Sequence, residues 1–597
     1  MGHYTAPLDD IRFVMKHLAQ MDEIGRLAGN EGADAVTVAV ILDEAGKFAA
    51  EVLAPLNKSG DREGAVWRNG EVSMPRGFKE AYAAFVANGW NGIGCDENYG
   101  GHGMPKLVTT AAREMWNSAN MAFALCPALN AGAIEALELS ATDTLKHIYL
   151  EKMVSGKWTG TMNLTEPQAG SDLAAVRARA TPQADGTFRI VGQKIFITYG
   201  DHDMAENIVH LVLARLPDAP AGVKGISLFL APKFLVNPDG SLGERNDARC
   251  VSIEHKLGIH ASPTCVMSFG DSEGAIGYLV GEQNRGLEYM FIMMNDARLV
   301  SGVQGLAVAE RAYQKAAAFA KERVQGRDIA GGSRSVPIIA HPDVRRMLML
   351  MKSLTEAMRA LAYTVAGAYD LADTHPDKAV QAHNRAFVDL MTPVLKGWCT
   401  ETGIEVATIG IQVHGGMGYI EETGAAQYLR DVRITAIYEG TTGIQANDLI
   451  GRKIAREDGK TIRSVMREMR LLLPTLTIRG GEDFEAICCA LRAGIDALDS
   501  AVAHVLEMYS VDIRATAVGA VPFLKLTGIV TGGWLLARSA LAAAECIDRD
   551  EGDRSFLEAK IGCARFFSDH VLAQAPGFAH TVAKGAGRVM ELAESQF

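Results

Sequence analysis

The chain has 597 residues, 48% of them hydrophobic and 22% charged, and a formal net charge of −12. That length exceeds one ordinary core, so several domains are expected, in a composition typical of globular proteins. The acidic balance argues against a general binder of nucleic acid or of an anionic membrane surface.

The start, Met1 to Asp10, has no basic stretch followed by an apolar one and is not a secretory signal. Gly2 does not open a myristoylation motif, because Ala6 stands where Ser or Thr is needed. Residues 1–35 form an N-terminal extension. From Val36 to Leu56 apolar residues recur at helical spacing (Val38, Ile41, Leu42, Ala45, Phe48, Ala49, Val52), and Phe78 to Trp90 looks similar. A Gly-rich loop, Gly92 to Gly103, precedes renewed helix from Leu107 to about Val154. Residues 36–158 are thus expected to be a helical domain.

The pattern changes at Trp158. Short β-rich segments around Phe188–Ile190, Ile195–Ile197, Ile208–Val212 and Ile226–Leu230 are separated by Gly, Pro, Asp and Asn. With no helices between the strands, 159–275 is expected to be a small antiparallel sandwich or barrel, not a Rossmann sheet. Helices return over Gly286 to Val324, Pro342–Ala372, Ala379–Trp398 and Gly403–Val413, the last stopped by Gly415–Gly416. Antiparallel helices of this length make a bundle, placed at 276–456. A further helical domain, 457–597, opens with Thr461–Leu473 and is expected to break at Pro474. Its apolar stretch Phe523 to Leu541 carries Lys525 and Arg538 and is taken as a buried helix, not a membrane span. The fold class is mainly α with a central β domain. The nine cysteines are scattered, with one adjacent pair, Cys488–Cys489, and no C-x-x-C. This disfavours a disulfide framework or a metal site and favours a reducing compartment, taken as cytoplasmic.

Three segments carry chemistry. Met162-Asn163-Leu164-Thr165-Glu166-Pro167-Gln168-Ala169-Gly170-Ser171-Asp172 is a tight loop of free N–H groups and small hydroxyls, suited to a phosphate or to a flat ring with polar edges. Composition alone favours an ordinary turn with Asx and Ser capping. Ile195-Phe196-Ile197-Thr198-Tyr199-Gly200 is a strand whose aromatic residue can back a planar cofactor, although Phe and Ile in strands are normally core. Ala436-Ile437-Tyr438-Glu439-Gly440-Thr441-Thr442-Gly443-Ile444-Gln445 sets a glutamate at a sharp turn before a helix for which Thr441 and Thr442 are good caps. A carboxylate beside Ile437 and Tyr438 at a helix start has a tunable pKa; the plain alternative is a capping-region glutamate facing water.

Taken together, in this order and spacing, T-E-P-x-A-G-S-D and Y-E-G-T resemble the acyl-CoA dehydrogenase family. The resemblance covers roughly Val36 to Lys453 and includes Glu97-Asn98-Tyr99-Gly100-Gly101. It implies an N-terminal helical domain, a β-barrel or sandwich domain and a four-helix bundle, here with the extra C-terminal helical domain. It also implies FAD as cofactor and an acyl-CoA thioester as substrate. Glu439 matches the catalytic base. Met162, Leu164, Thr165, Gly170 and Ser171 match the loop that meets the flavin ring and phosphates, with Ser171 also near substrate. Phe196, Ile197 and Thr198 match the strand beside the flavin, with Phe196 where tryptophan is usual. Arg323 matches an arginine that reaches the FAD of a neighbouring subunit, within a shortened Arg323-Val324-Gln325-Gly326. Gln412, Gly415 and Gly416 match the helix end that meets the adenosine of the partner's FAD, and Thr441 is assigned to the cofactor as well. Asn295, where aspartate is common, and Arg298 match contacts to the CoA arm and adenine, and Gly440 is assigned to substrate.

The family normally passes electrons to an electron-transfer flavoprotein and forms homo-oligomers, here expected to be a dimer. Tyr4-Thr5-Ala6-Pro7-Leu8-Asp9-Asp10, Arg323-Val324-Gln325-Gly326-Arg327 and Gly532-Gly533-Trp534-Leu535-Leu536 look most like the 3-methylmercaptopropionyl-CoA dehydrogenase group. An acyl-CoA oxidase shares the base and the long extension. A nucleic-acid-binding flavoprotein of the same fold is the more distant alternative, and the charge balance over 460–597 offers it no basic platform.

Overall fold

A computed structural model describes residues 4–597, so Gly2 and its neighbours in the N-terminal reading lie outside the described residues. The chain divides into two compact units. One comprises the chain to Asp43, Pro105–Glu114 and Ser301–Phe597; the other comprises Glu44–Met104 and Met115–Val300.

The second unit carries the sheet. Its strands run in the order Ala248–Ile253, Thr264–Phe269, Phe188–Thr198, Ala275–Val280, Ile226–Pro232, Asn207–Arg215 and Trp158–Asn163. Arg179–Pro182 pairs with both Phe188–Thr198 and Asn207–Arg215, which closes five strands into a ring. The expected barrel is therefore present, but it is not wholly antiparallel. Trp158–Asn163 runs parallel to Asn207–Arg215 in six-residue register, from Trp158↔Asn207 to Asn163↔Val212. A parallel pair needs a long crossover, and the chain between these strands is long enough to supply one. One apolar cluster (Val209, Leu211, Leu228, Leu230) lies on one face of the central strands, with Trp158 and Tyr149. Another (Val212, Phe229, Ile190, Met267) fills the other face. Strands buried on both faces explain the run Ile208–Val212, apolar except for buried His210, which lacks the alternation of a half-exposed strand.

In the first unit, Pro342–Thr374 and Lys378–His414 are long antiparallel neighbours. The sequence pattern divides the second of these near Trp398, but the helix is continuous. Gly403 tolerates no side chain because a Cβ would lie 2.5 Å from the carbonyl oxygen of Gly305. It is a close-approach glycine between packed helices, not a stop. Lys460–Arg479 also runs on through Pro474, where a break was expected. Pro474 is exposed, so water can satisfy the carbonyl that its missing N–H leaves free. The apolar stretch at 523–541 lies in the helix Ala520–Asp548, most of which is buried. Gly528 sits where a Cβ would meet the Trp398 ring at 2.3 Å, so the helix approaches the bundle across that glycine.

Two short hairpins escaped the sequence pattern. Val66–Arg68 pairs with Glu71–Ser73, and Val324–Arg327 pairs with Ser335–Pro337. The helix Gly286–Glu322 consequently stops just before Arg323. The helix expected from Leu107 to Val154 is two, Lys106–Ser140 and Asp143–Val154, the second started by the Thr142 side chain accepting from the Leu145 amide.

Candidate active site

In the second unit the strand Trp158–Asn163 delivers Met162 and then the loop through Ser171. The loop is fastened to the strand Phe188–Thr198. The Ile195 amide donates to the Thr165 carbonyl at 2.9 Å, and Lys194 Nζ donates to the Leu164 carbonyl at 3.0 Å. This brings Met162, Leu164 and Thr165 together with Phe196, Ile197 and Thr198.

The fastening depends on a buried ion pair. Lys194 Nζ lies 2.8 Å from Glu166 Oε1, with side chains 0% and 3% exposed. The Glu166 carboxylate also accepts from the Arg177 amide at 2.7 Å, the Ala178 amide at 3.0 Å and Gln168 Nε2 at 2.6 Å. Burial raises the Glu166 pKa, but the Lys194 charge and these donors outweigh it and hold the carboxyl below its ordinary value. Burial lowers Lys194 to about 8 against the opposing pull of Glu166. Glu166 sits inside the recognised motif, yet its role as anchor, and Lys194 as its partner, were not read from sequence. The available signal was a lysine among the buried positions of a strand whose other buried residues, Phe188, Ile190 and Ile197, are apolar. Lys194→Met is expected to destabilise this loop by about 2 kcal/mol, because Glu166 keeps its N–H donors but loses its counter-charge. Flavin content of the purified variant, measured against its thermal midpoint, checks this; full retention of both would remove the anchor role.

The surface of this loop suits a flat ligand. Gly170 and Ser171 are exposed, and a Cβ at Gly170 would meet nothing within 4 Å. Phe196 is 59% exposed, with φ at +60°, while Ile197 beside it is buried. A large exposed aromatic in left-handed backbone at a strand end is costly without a ligand to cover it. Asn163 Oδ1 is buried with no hydrogen-bond partner among the described residues. Asn295 is exposed on the helix Gly286–Glu322; Arg298 stacks over the Phe291 ring at 5.9 Å, and its buried Nε has no partner among the described residues.

In the first unit, Glu439 and Gly440 form a two-residue left-handed turn, with φ of +57° and +87°. Left-handed backbone at a non-glycine residue costs of order 1 kcal/mol and is kept where the surroundings over-determine it. Gly440 favours glycine through its positive φ, and a Cβ there, 2.7 Å from Gln445 Nε2, would displace the end of that side chain. The Thr441 side chain caps the helix Thr442–Asp448 by accepting from the Ile444 amide at 3.3 Å, as expected. Thr442 does not cap; its hydroxyl donates to Glu401 Oε1 at 2.6 Å. Before the turn, Tyr438 is tied to Gln304 by a short hydrogen bond, and burial drives its phenol pKa well up. Gln412 is exposed at the end of Lys378–His414, followed by exposed Gly415, in left-handed backbone, and exposed Gly416. Arg323 is exposed beside the hairpin. The base turn and the flavin loop thus belong to different units.

Comparison with known proteins agrees with this arrangement. Residues 38–157 match the acyl-CoA dehydrogenase N-terminal domain, 161–272 the middle domain and 284–454 the C-terminal domain. Residues 461–593 match a domain described as acetyl-CoA dehydrogenase C-terminal like. The chain belongs to the acyl-CoA dehydrogenase family: it is an FAD-dependent oxidoreductase acting on acyl-CoA. Among individual relatives, it is 49% identical to a 3-methylmercaptopropionyl-CoA dehydrogenase of Ruegeria pomeroyi, over 96% of both chains. It is 35% identical to a broad-specificity linear acyl-CoA dehydrogenase of Mycobacterium tuberculosis over the whole of both. An acyl-CoA dehydrogenase from Bacillus anthracis, solved with FAD, shares the fold at TM-score 0.73 and 19% identity, over 96% of this chain and 91% of that one.

Proposed function

We propose that Glu439 is the base that removes the α-proton of the acyl-CoA, and that the substrate is a short acyl-CoA of the 3-methylmercaptopropionyl class. The observation that carries the first part is the left-handed turn at Glu439, held in a sequence that matches the family's base. The second part rests on the 49% identity to the Ruegeria enzyme. An α-proton of a thioester is a weak acid and a carboxylate is a weak base. Burying the carboxylate under substrate removes water and raises its pKa towards that of the α-carbon. FAD, when bound, supplies the hydride acceptor for the β-hydrogen.

In this reading the loop residues Met162, Leu164, Thr165, Gly170 and Ser171, with Phe196, Ile197 and Thr198, hold the flavin, helped by Thr441. Ser171, Asn295, Arg298 and Gly440 hold the thioester and CoA arm; the unpaired Arg298 Nε suits an anionic or carbonyl group. Exposed Arg323, Gln412, Gly415 and Gly416 serve the FAD of a neighbouring subunit in a homodimer. The four matched segments act as the domains, joined to the N-terminal extension. Electrons leave to an electron-transfer flavoprotein. Nine free thiols suit a reducing compartment, which we take as the cytoplasm. The relatives above are dehydrogenases, which favours that activity over an oxidase.

The test is an anaerobic titration of the flavin-loaded protein with acyl-CoAs of graded length, including 3-methylmercaptopropionyl-CoA and butyryl-CoA. Rapid bleaching by 3-methylmercaptopropionyl-CoA supports the substrate reading. Faster bleaching by long chains overturns it while leaving the dehydrogenase reaction in place.

A further inference from the structure

The Glu439 turn is gripped by two side chains: Gln445, at the end of the same sequence segment, and Lys396, which lies outside it. Lys396 lies in the middle of the helix Lys378–His414 and is 0% exposed. Its Nζ donates to the Gly440 carbonyl at 2.5 Å. Gln445, 1% exposed, donates from Nε2 to the Glu439 carbonyl at 3.2 Å and to the Gly440 carbonyl at 3.5 Å. A lysine ammonium buried in a bundle is costly unless hydrogen-bonded and compensated. Here one of its hydrogen bonds goes to the carbonyl of the residue that follows the base. The two peptide groups that follow the Glu439 Cα, carrying the Glu439 and Gly440 carbonyls, are therefore held from two different helices. Lys396, Glu439, Gly440 and Gln445 all lie within one compact unit.

We infer that Lys396 is a positioning residue for the dehydrogenation: with Gln445, it locks the left-handed Glu439–Gly440 turn and so aims the carboxylate at the α-carbon. The inference rests on the reading of Glu439 as base. A strained turn left to itself relaxes towards right-handed or extended backbone, and that relaxation swings the side chain away. Misplacement of a reacting group by about 1 Å costs on the order of 10²-fold in rate. The loss falls mainly on the chemical step, because the acyl-CoA contacts other than Gly440 are assigned to Ser171, Asn295 and Arg298, outside this turn.

Lys396→Met keeps the length and apolar stem and removes the donor. The measurement is the rate of anaerobic flavin reduction per bound FAD, using whichever of 3-methylmercaptopropionyl-CoA or butyryl-CoA bleaches the wild type faster. KM and flavin content are recorded alongside. A fall in kcat of roughly 10- to 100-fold, with KM within about threefold and FAD retained, is expected. A purely structural lysine would lower the thermal midpoint or the FAD content with an unchanged rate per flavin, and that result overturns the inference. If Lys396→Met does not fold, Gln445→Met decides. A kcat reduced by about threefold or more at unchanged KM supports the lock, and an unchanged kcat overturns it. Glu439→Gln runs in parallel. If it still turns over, the base reading itself falls; if it is inactive while both lock variants reduce flavin normally, only the positioning inference falls.

Discussion

Glu439→Gln is expected to keep FAD and acyl-CoA binding and to lose flavin reduction by roughly 10²- to 10⁴-fold, the range that a general base contributes. The substitution is nearly isosteric. It leaves the turn's backbone bonds to Lys396 and Gln445 and the Thr441 cap in place, because none of these involves the carboxylate. What it removes is the proton acceptor, since an amide oxygen is far too weak a base for an α-carbon acid. Binding should survive because the CoA arm and flavin are assigned to other residues. The expected pattern is therefore a kcat effect at near-constant KM, with the long-wavelength flavin spectrum still perturbed on adding acyl-CoA. Near-normal turnover would remove Glu439 from the mechanism. Loss of FAD would show that the carboxylate also serves the fold, and the kinetic comparison would then have to be made per bound flavin.

The parts of this enzyme that were legible in its sequence are those written as local patterns. Helical periodicity placed the bundle, the turn-separated β-rich segments placed the sheet, and the Thr441 cap followed from residue type at a helix start. Two of the misplaced breaks, near Gly403 and at Pro474, fell at a glycine or proline where tertiary packing or solvent had overruled the local signal. Gly403 is small because Gly305 lies against it, and Pro474 is tolerated because its face meets water. The parallel pairing of Trp158–Asn163 is non-local and leaves no mark in either strand. In the site, the turn at Glu439 was visible as Glu-Gly-Thr, but the residues that hold it were not. Lys396 stands in the apolar run Val394-Leu395-Lys396-Gly397-Trp398, and Lys194 on an inward strand position. A charge inside an apolar pattern marks a buried partner, yet the partners are 44 and 28 residues away and appear only once the chain is folded.

Arg359→Met is expected to destabilise the first unit by about 3–5 kcal/mol, the cost of removing one member of a buried ionic network. Arg359 is 1% exposed in the helix Pro342–Thr374. Its Nη1 donates to Asp10 at 2.5 Å, its Nη2 to Glu114 at 2.6 Å and to Glu310 at 2.7 Å, and its Nε to Glu114 at 3.0 Å. Lys560 extends the network by donating to Asp10 at 2.5 Å and Glu356 at 2.8 Å, and Lys352 lies 2.6 Å from Glu356. These charges join the N-terminal helix Leu8–His17, the bundle and the C-terminal helix Arg554–His570, so the residues taken from sequence as an extension are part of the packed unit. Methionine fills most of the volume but leaves the three carboxylates on Asp10, Glu114 and Glu310 without their shared cation. Lys560 still faces Asp10, so the damage concentrates on Glu114 and Glu310. The pH dependence provides an independent check. Burial pushes Asp10 up, but Lys560 and Arg359 outweigh it and bring its pKa far below the ordinary value. A carboxyl whose folded pKa is depressed contributes stability above its unfolded pKa of about 3.9, and that contribution is lost as pH falls through the folded value. Removing Arg359 weakens that depression, so the stability gap between wild type and variant should be full at pH 7 and shrink on acidification below about pH 4. Denaturant midpoints at pH 7 and at about pH 3 measure both effects. A difference under about 1 kcal/mol at pH 7 would mean that water reaches these carboxylates and the network is not the joint that its geometry describes.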